Sequence, residues 1–281
     1  MHVFVLGAGR MGLDIAQAFG VSGNVVTVRD INDEIIGAAR KRLAESLDAR
    51  VQRGKLSLPE ANALRESICF TTAMEDAANV ELVLEAVVEN AAVKREAFAK
   101  LEDICREDTI FATNTSSISI TLIASATKRA DRFIGMHFFN PATVMKLVEV
   151  IRGAHTSDAT VQTIMHMAQS MGKTPVEVNE SPGFVVNRLL VPMINEAVGL
   201  VATGVATPAN IDTAMQLGCN HPMGPLALGD MIGLDVVLAI MDTLYDELHD
   251  DKYRAHTLLR KMVRAGTLGK KSGMGFYEYR S

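Results

Sequence analysis

His2–Gly12 reads HVFVLGAGRMG. A short apolar run, His2–Leu6, flows directly into a G-x-G-x-x-G turn at Gly7, Gly9 and Gly12. A helical pattern follows, with Ile15, Ala16, Phe19 and Gly20 recurring at three- and four-residue spacing. Strand, glycine turn and helix in that order is the context that makes the motif a dinucleotide site. Gly7 allows the tight turn, Gly9 lets backbone approach a pyrophosphate, and Gly12 lets helix pack on strand. Arg10 and Met11 belong to the same cofactor-binding turn, where free amides and a partial positive charge at the helix N-terminus suit phosphate.

Working outward, a second strand, Val25–Arg29, ends in Asp30, 18 residues past Gly12 and 23 past Gly7. That is the offset expected of the acid that binds ribose hydroxyls, and a carboxylate there repels a 2′-phosphate, so NAD is favoured over NADP. Arg29 beside it is the one feature that would suit the phosphate. Further strands are predicted at 81–88, 109–113, 132–139, 147–151 and 174–178, with helices at 33–54, 91–105, 118–126 and 158–171 between them. This alternation predicts a Rossmann-like, doubly wound, largely parallel sheet over residues 1–180. At Glu180-Ser181-Pro182-Gly183 the pattern changes character, with Ser181 expected as an N-cap and Pro182 in the first helical turn. Helices are predicted at 184–201 (bent at Pro192), 208–217 and 232–248, so residues 181–281 are expected to form a smaller all-helical domain for substrate binding and dimerisation.

Composition narrows the function. Of the 281 residues, 48% are hydrophobic and 22% charged, ordinary for a globular protein. A net charge of −5 argues against a general nucleic-acid binder. Three cysteines, Cys69, Cys105 and Cys219, without CxxC spacing suggest reduced thiols and no zinc site. No apolar run approaches the ~20 residues of a membrane helix. The strand at the very start leaves no room for a leader, and a cytoplasmic location is expected.

Three features carry candidate chemistry. His137 ends an apolar run that Asn140-Pro141 breaks, and Glu149 lies inside the next one, Leu147–Ile151. A carboxylate in so apolar a strand calls for a partner, and His137, held in one tautomer as a general base, is the obvious one. A satisfied core histidine beside an unrelated glutamate is the plainer alternative. Asn114-Thr115-Ser116-Ser117 lies at a strand's C-terminal end, where open α/β sheets bind ligands, although such residues also cap helices. Between Arg40 and Lys55, six basic residues face two acidic ones, a local +4 in an acidic chain. It is either a solvated helix face or a docking site for a polyanionic small molecule.

Several longer motifs then converge: VENAAVK at 88–94, NTSS at 114–117, HFFNPATVMKLVEV at 137–150, PGFVVNR at 182–188, HPMGP at 221–225 and GKKSGMGFY at 269–277. Together with GAGRMG, and in this order, they make the chain resemble the NAD-dependent L-3-hydroxyacyl-CoA dehydrogenases over essentially its whole length. The resemblance implies that His137 is the base taking the 3-hydroxyl proton and that Glu149 orients it. It implies that Ser116 and Asn187 bond the substrate's oxygens and help position the cofactor, and that Asp30, Glu89, Lys94, Asn140 and Lys271 lie along NAD. Ser46 and Arg53 match positions that meet coenzyme A, which gives the basic helix a purpose. An acyl-CoA substrate, a homodimer, no metal, and an active site in the cleft between the domains are expected. Sugar-acid and nucleotide-sugar dehydrogenases share the layout, but the latter need a nucleophilic thiol and Cys219 has no adjacent base. A non-catalytic NAD-binding protein is disfavoured by the intact set His137, Glu149, Ser116 and Asn187.

Overall fold

The computed structural model describes residues 1–279, and the chain divides into two compact units, Met1–Glu180 and Ser181–Ser281. In the first, β1 (His2–Leu6), α1 (Arg10–Val21), β2 (Val25–Arg29), α2 (Asp33–Gln52), α3 (Leu58–Ser67) and β3 (Ile68–Thr71) form one half. The other half comprises β4 (Leu82–Glu85), α4 (Ala91–Ile104), β5 (Ile110–Thr113), α5 (Ile120–Ala124), β6 (Phe133–Phe138), β7 (Leu147–Arg152), α6 (Asp158–Ser170) and β8 (Thr174–Asn179). They build one eight-stranded sheet ordered β3-β2-β1-β4-β5-β6-β7-β8. Strands β1 to β6 run parallel, β6 and β7 pair antiparallel, and β8 follows β7 in parallel. The strand order turns back between β1 and β4, so the crevice at their C-terminal ends is the switch point where such sheets receive ligands.

The local chemistry explains the elements. Strands β4 and β6 are buried at every residue, as a strand covered on both faces must be, and so read as continuous apolar runs. Helix α2 buries Ile36, Ala39, Leu43 and Leu47 at three- and four-residue spacing, and Asn32 caps it by accepting from the Ile35 amide. Phe98, Phe111 and Phe133 meet edge to face or tilted, with centroids 4.7 to 6.4 Å apart, and lock α4 onto β5 and β6. The sequence pattern did not reveal α3 and β3. β3 is a four-residue edge strand buried only at Ile68, so it shows no sustained apolar run. Nor do residues 114–117 cap α5, which begins at Ile120 with Ser119 accepting from the Leu122 amide.

The second unit is helical: α7 (Val186–Ala202), α8 (Pro208–Cys219), α9 (Pro225–Ile232), α10 (Leu234–Leu248) and α11 (Thr257–Arg264). Its core gathers Val191, Ile194, Val198, Leu226, Val237, Met241, Leu244 and Leu259. Ser181 is not the expected N-cap. Gly183 and Phe184 both take positive φ (72° and 50°), which no helix tolerates, so α7 starts later. The Ser181 hydroxyl instead accepts from Arg188 Nη1 at 2.6 Å. Helices α9 and α11 were also not foreseen. Two buried carboxylates organise the C-terminal segment: Asp212 accepts from the amides of Leu226 and Ala227 and from the Tyr277 hydroxyl, and Asp230 from the amides of Phe276 and Tyr277. Burial raises the Asp230 carboxyl. Gly224 of HPMGP packs on Asp212, and Gly269 and Gly275 of GKKSGMGFY pack on Asp230, so the two carboxylates give both motifs a packing role.

The glycine turn yields a stability prediction. A Cβ on Gly12 would lie 1.9 Å from the Gly7 carbonyl oxygen, whereas one on Gly9 would meet nothing within 4 Å. Gly12→Ala is expected to destabilise the protein by ~1–3 kcal/mol or more, as overpacking does, and Gly9→Ala to leave it unchanged; thermal or urea unfolding of the two variants checks the contrast.

Candidate active site

The crevice at the switch point is built for a dinucleotide. Gly7, at φ 112°, donates to the Arg29 carbonyl at 2.8 Å, and its Cα abuts Ala86, leaving no room for a side chain. The open ground before Gly9, the N-cap of α1, is where a pyrophosphate can reach backbone. Asp30 closes the far side: one carboxylate oxygen accepts from the Ala8 amide at 2.7 Å and the other from its neighbour Ile31. Arg29 turns away, its Nε donating to the Thr72 carbonyl at 3.1 Å. These residues fit NAD.

His137 and Glu149 stand directly opposite each other in the antiparallel ladder of β6 and β7. His137 Nδ1 lies 2.8 Å from Glu149 Oε2, and the two residues are 6% and 1% exposed. The Phe139 ring leans on the imidazole, centroids 4.6 Å apart. Around the pair the backbone is pinned. Asn114 Oδ1 accepts from the Phe138 amide at 2.9 Å, and Lys173 Nζ donates to the carbonyls of Ala142 and Met145 in the loop joining the strands. Burial holds the Lys173 ammonium below its usual range. Asn140, exposed, begins that loop with a cis bond to Pro141.

Glu89 gathers residues 115–117. Its Oε1 accepts from the Thr115 hydroxyl at 2.6 Å, the Ser116 amide at 2.9 Å and the Ser117 hydroxyl at 3.3 Å. Burial pushes its carboxyl up, but Lys94, Thr115 and Ser116 outweigh that and hold it below the usual carboxylate range. Lys94 itself is 1% exposed, with Nζ 3.2 Å from Glu89 and 2.6 Å from Glu85. It supports the site from beneath and presents no open surface to a cofactor. Sequence reading missed Glu85. Its signal was the one that exposed Glu149, a carboxylate inside an apolar run.

The basic helix divides its charges. Arg42 Nη2 donates to the Ala8 carbonyl at 3.0 Å, bringing a cation to the glycine turn, and Arg40 stacks over the Phe70 ring at 4.9 Å. Among the described residues, Arg50, Arg53 and Lys55 make no ion pair, so they are the charges left for a polyanion; Ser46 lies half-buried on the same helix. In the second unit, Asn187 lies in the first turn of α7, and Lys271 pairs with Asp235 at 2.5 Å. Among the described residues, no cluster of His, Cys, Asp or Glu could hold a metal ion, no cysteines are bridged, and no helix is long and apolar enough to cross a membrane.

Comparison with known proteins gives this geometry its setting. The profile of the 3-hydroxyacyl-CoA dehydrogenase NAD binding domain matches residues 2–181, and that of the 3-hydroxyacyl-CoA dehydrogenase C-terminal domain matches residues 183–279. The chain is 52% identical over 279 residues to a 3-hydroxybutyryl-CoA dehydrogenase of Clostridioides difficile, covering 99% of each chain. It is 43% identical to the human mitochondrial hydroxyacyl-coenzyme A dehydrogenase, covering 99% of this chain and 91% of the relative. Among solved structures, the (S)-3-hydroxybutyryl-CoA dehydrogenase of Ralstonia eutropha superposes with a TM-score of 0.96 at 48% identity, covering 100% of this chain and 99% of that one. With both family profiles accounting for nearly every residue, the chain belongs to the 3-hydroxyacyl-CoA dehydrogenases, NAD(H)-binding oxidoreductases.

Proposed function

We propose that this chain interconverts (S)-3-hydroxybutyryl-CoA and acetoacetyl-CoA using NAD(H), with His137 as general base and Glu149 as the residue that orients it. The observation that carries the reading is the buried 2.8 Å contact between His137 Nδ1 and Glu149. With the carboxylate accepting at Nδ1, the proton sits there and Nε2 carries the lone pair. NAD, when bound, supplies the acceptor for the hydride from C3. The chain supplies the rest. Nε2 takes the 3-hydroxyl proton as C3 becomes a carbonyl, Glu149 stabilises the resulting imidazolium, and in reduction the same imidazolium returns the proton to the carbonyl oxygen. The preference for a four-carbon acyl group follows the naming of the relatives that are about half identical.

Ser116 and Asn187 are assigned to the substrate's oxygens, and Glu89, Asn140 and Lys271 to the cofactor, on the family pattern. Arg53 and Ser46, with Arg50 and Lys55 nearby, offer the cations and hydroxyl for the phosphates of coenzyme A. Strict NAD use is favoured by Asp30 beyond β2 and by the engagement of Arg29 with Thr72. A homodimer is inferred for the second unit, whose Leu189, Val205 and Leu217 are exposed at 71%, 67% and 83%.

Three measurements test this. In an acetoacetyl-CoA reduction assay, His137→Gln is expected to lower kcat by ~10²–10⁴ while NADH still binds, and Glu149→Gln to lower it by about tenfold or more; unchanged turnover in His137→Gln overturns the mechanism. Asp30→Ala is expected to cut the preference for NADH over NADPH, as a ratio of kcat/KM, by about tenfold, the worth of ~1.4 kcal/mol. Light scattering should give one species of twice the 30.4 kDa chain mass, and a monomer at assay concentrations rejects the dimer.

A further inference from the structure

Beneath Glu89 and Ser116 lies a fully buried carboxylate with no role in the proposed chemistry. Glu85, the last residue of β4, is 0% exposed. Burying an ionised carboxylate is costly unless every oxygen is answered, and here each is. Oε1 accepts from Lys94 Nζ at 2.6 Å and from the Val87 amide at 2.7 Å, and Oε2 accepts from the Thr113 hydroxyl at 2.7 Å. Each contact leads towards the site. Lys94 reaches on to Glu89 at 3.2 Å, and Glu89 gathers Thr115, Ser116 and Ser117. Thr113 Oγ1 also accepts from the Thr115 amide at 3.2 Å, at the root of the same turn. The Glu85 carbonyl accepts from the Asn114 amide at 2.8 Å, and Asn114 in turn holds the amide of Phe138, next to His137.

We propose that Glu85 is a positioning residue for the hydride-transfer site: through Lys94 it fixes Glu89 and the 115–117 turn against which cofactor and substrate bind. The inference rests on the proposed reading of Glu89 and Ser116 as ligand-binding groups. Its logic is one of charge. Lys94 is 1% exposed, and among the described residues its ammonium pairs with two carboxylates, Glu85 and Glu89. Glu85 is the fixed one, gripped by a main-chain amide and a hydroxyl. Glu89, at the rim with a side chain 38% exposed, is the one that is held. Neutralising Glu85 leaves the ammonium with Glu89 only, drawing the pair together and away from the turn. A purely structural role would lower stability and leave the folded enzyme's kinetics unchanged.

The test is a double-mutant cycle on the full chain with Glu85→Gln, Lys94→Met and the pair, measuring kcat and KM for NADH and for acetoacetyl-CoA, with NADH affinity by fluorescence. Glu85→Gln is expected to raise KM and Kd for NADH by roughly tenfold, the loss of one charge-assisted hydrogen bond, with the acetoacetyl-CoA KM changed less. Adding Glu85→Gln to Lys94→Met should then change little, because the two act as one path. Additive effects, or a Glu85→Gln enzyme with wild-type NADH parameters and only a lower melting temperature, overturn the proposal. If Glu85→Gln does not fold, Thr113→Val removes one support of the same carboxylate and should shift the NADH Kd in the same direction; an unchanged Kd there also overturns it. Failure of the wild-type enzyme to bind NADH or reduce acetoacetyl-CoA would instead refute the underlying reading.

Discussion

The reversal of the sheet at β6 and β7 is the constraint on which the site depends. In an antiparallel ladder, residues directly opposed on one face bring their Cβ atoms within ~4.5–5.5 Å, so His137 and Glu149 meet without stretching either side chain. A slip of one residue would send Glu149 to the opposite face. Three features hold the register. Val148 and Val150 are wholly buried on either side of Glu149. Asn114 fixes the amide beyond His137, and Lys173 anchors the loop that joins the strands. The geometry of the pair is therefore set by the backbone and needs no flexible arm.

Two buried glutamates are resolved in different ways, and the difference separates support from chemistry. Glu85 faces Lys94 at 2.6 Å and is gripped as well by the Val87 amide and the Thr113 hydroxyl, so three partners fix its carboxylate. Glu149 faces an imidazole, the side chain best suited to general acid–base work, across the ladder of β6 and β7. A carboxylate opposite lysine suits the positioning role proposed for Glu85; a carboxylate opposite histidine suits the orienting role proposed for Glu149. The fold places the first beneath the glycine crevice, at the end of β4, and the second on β7, three strands further along the same sheet.

What could be read from the sequence followed from how strongly each feature is patterned. The glycine turn, Asp30 and the strands buried on both faces are local signals, and each appears where its pattern lies. The His137–Glu149 contact was legible because both residues interrupt apolar runs. The short edge strand β3 was not, since a half-exposed strand of four residues has no period to detect. The start of α7 was misplaced because Ser181-Pro182 imitates a helix entry, and only the positive φ of Gly183 and Phe184 shows that the chain turns first. Lys94 could be placed in the site by its motif, but its burial beneath Glu89 depends on a partner in another strand, which no local pattern reveals.

The basic stretch of α2 shows why a charge count alone is a weak guide to ligands. Its +4 excess reads either as a solvated face or as a polyanion site, and the structure consumes part of it. Arg42 serves the glycine turn, Arg40 lies on Phe70, and Lys41 stands 3.9 Å from Glu45. What remains is Arg50, Arg53 and Lys55 at the C-terminal end of the helix, where the carbonyl ends of the macrodipole favour cations and disfavour bare anions. A polyanion docking there would be held by side chains and not by helix amides, in contrast to a pyrophosphate at the N-terminus of α1. If coenzyme A docks as proposed, one dinucleotide fold would keep two anionic ligands apart, one on backbone at a helix start and the other on guanidinium and ammonium groups at a helix end.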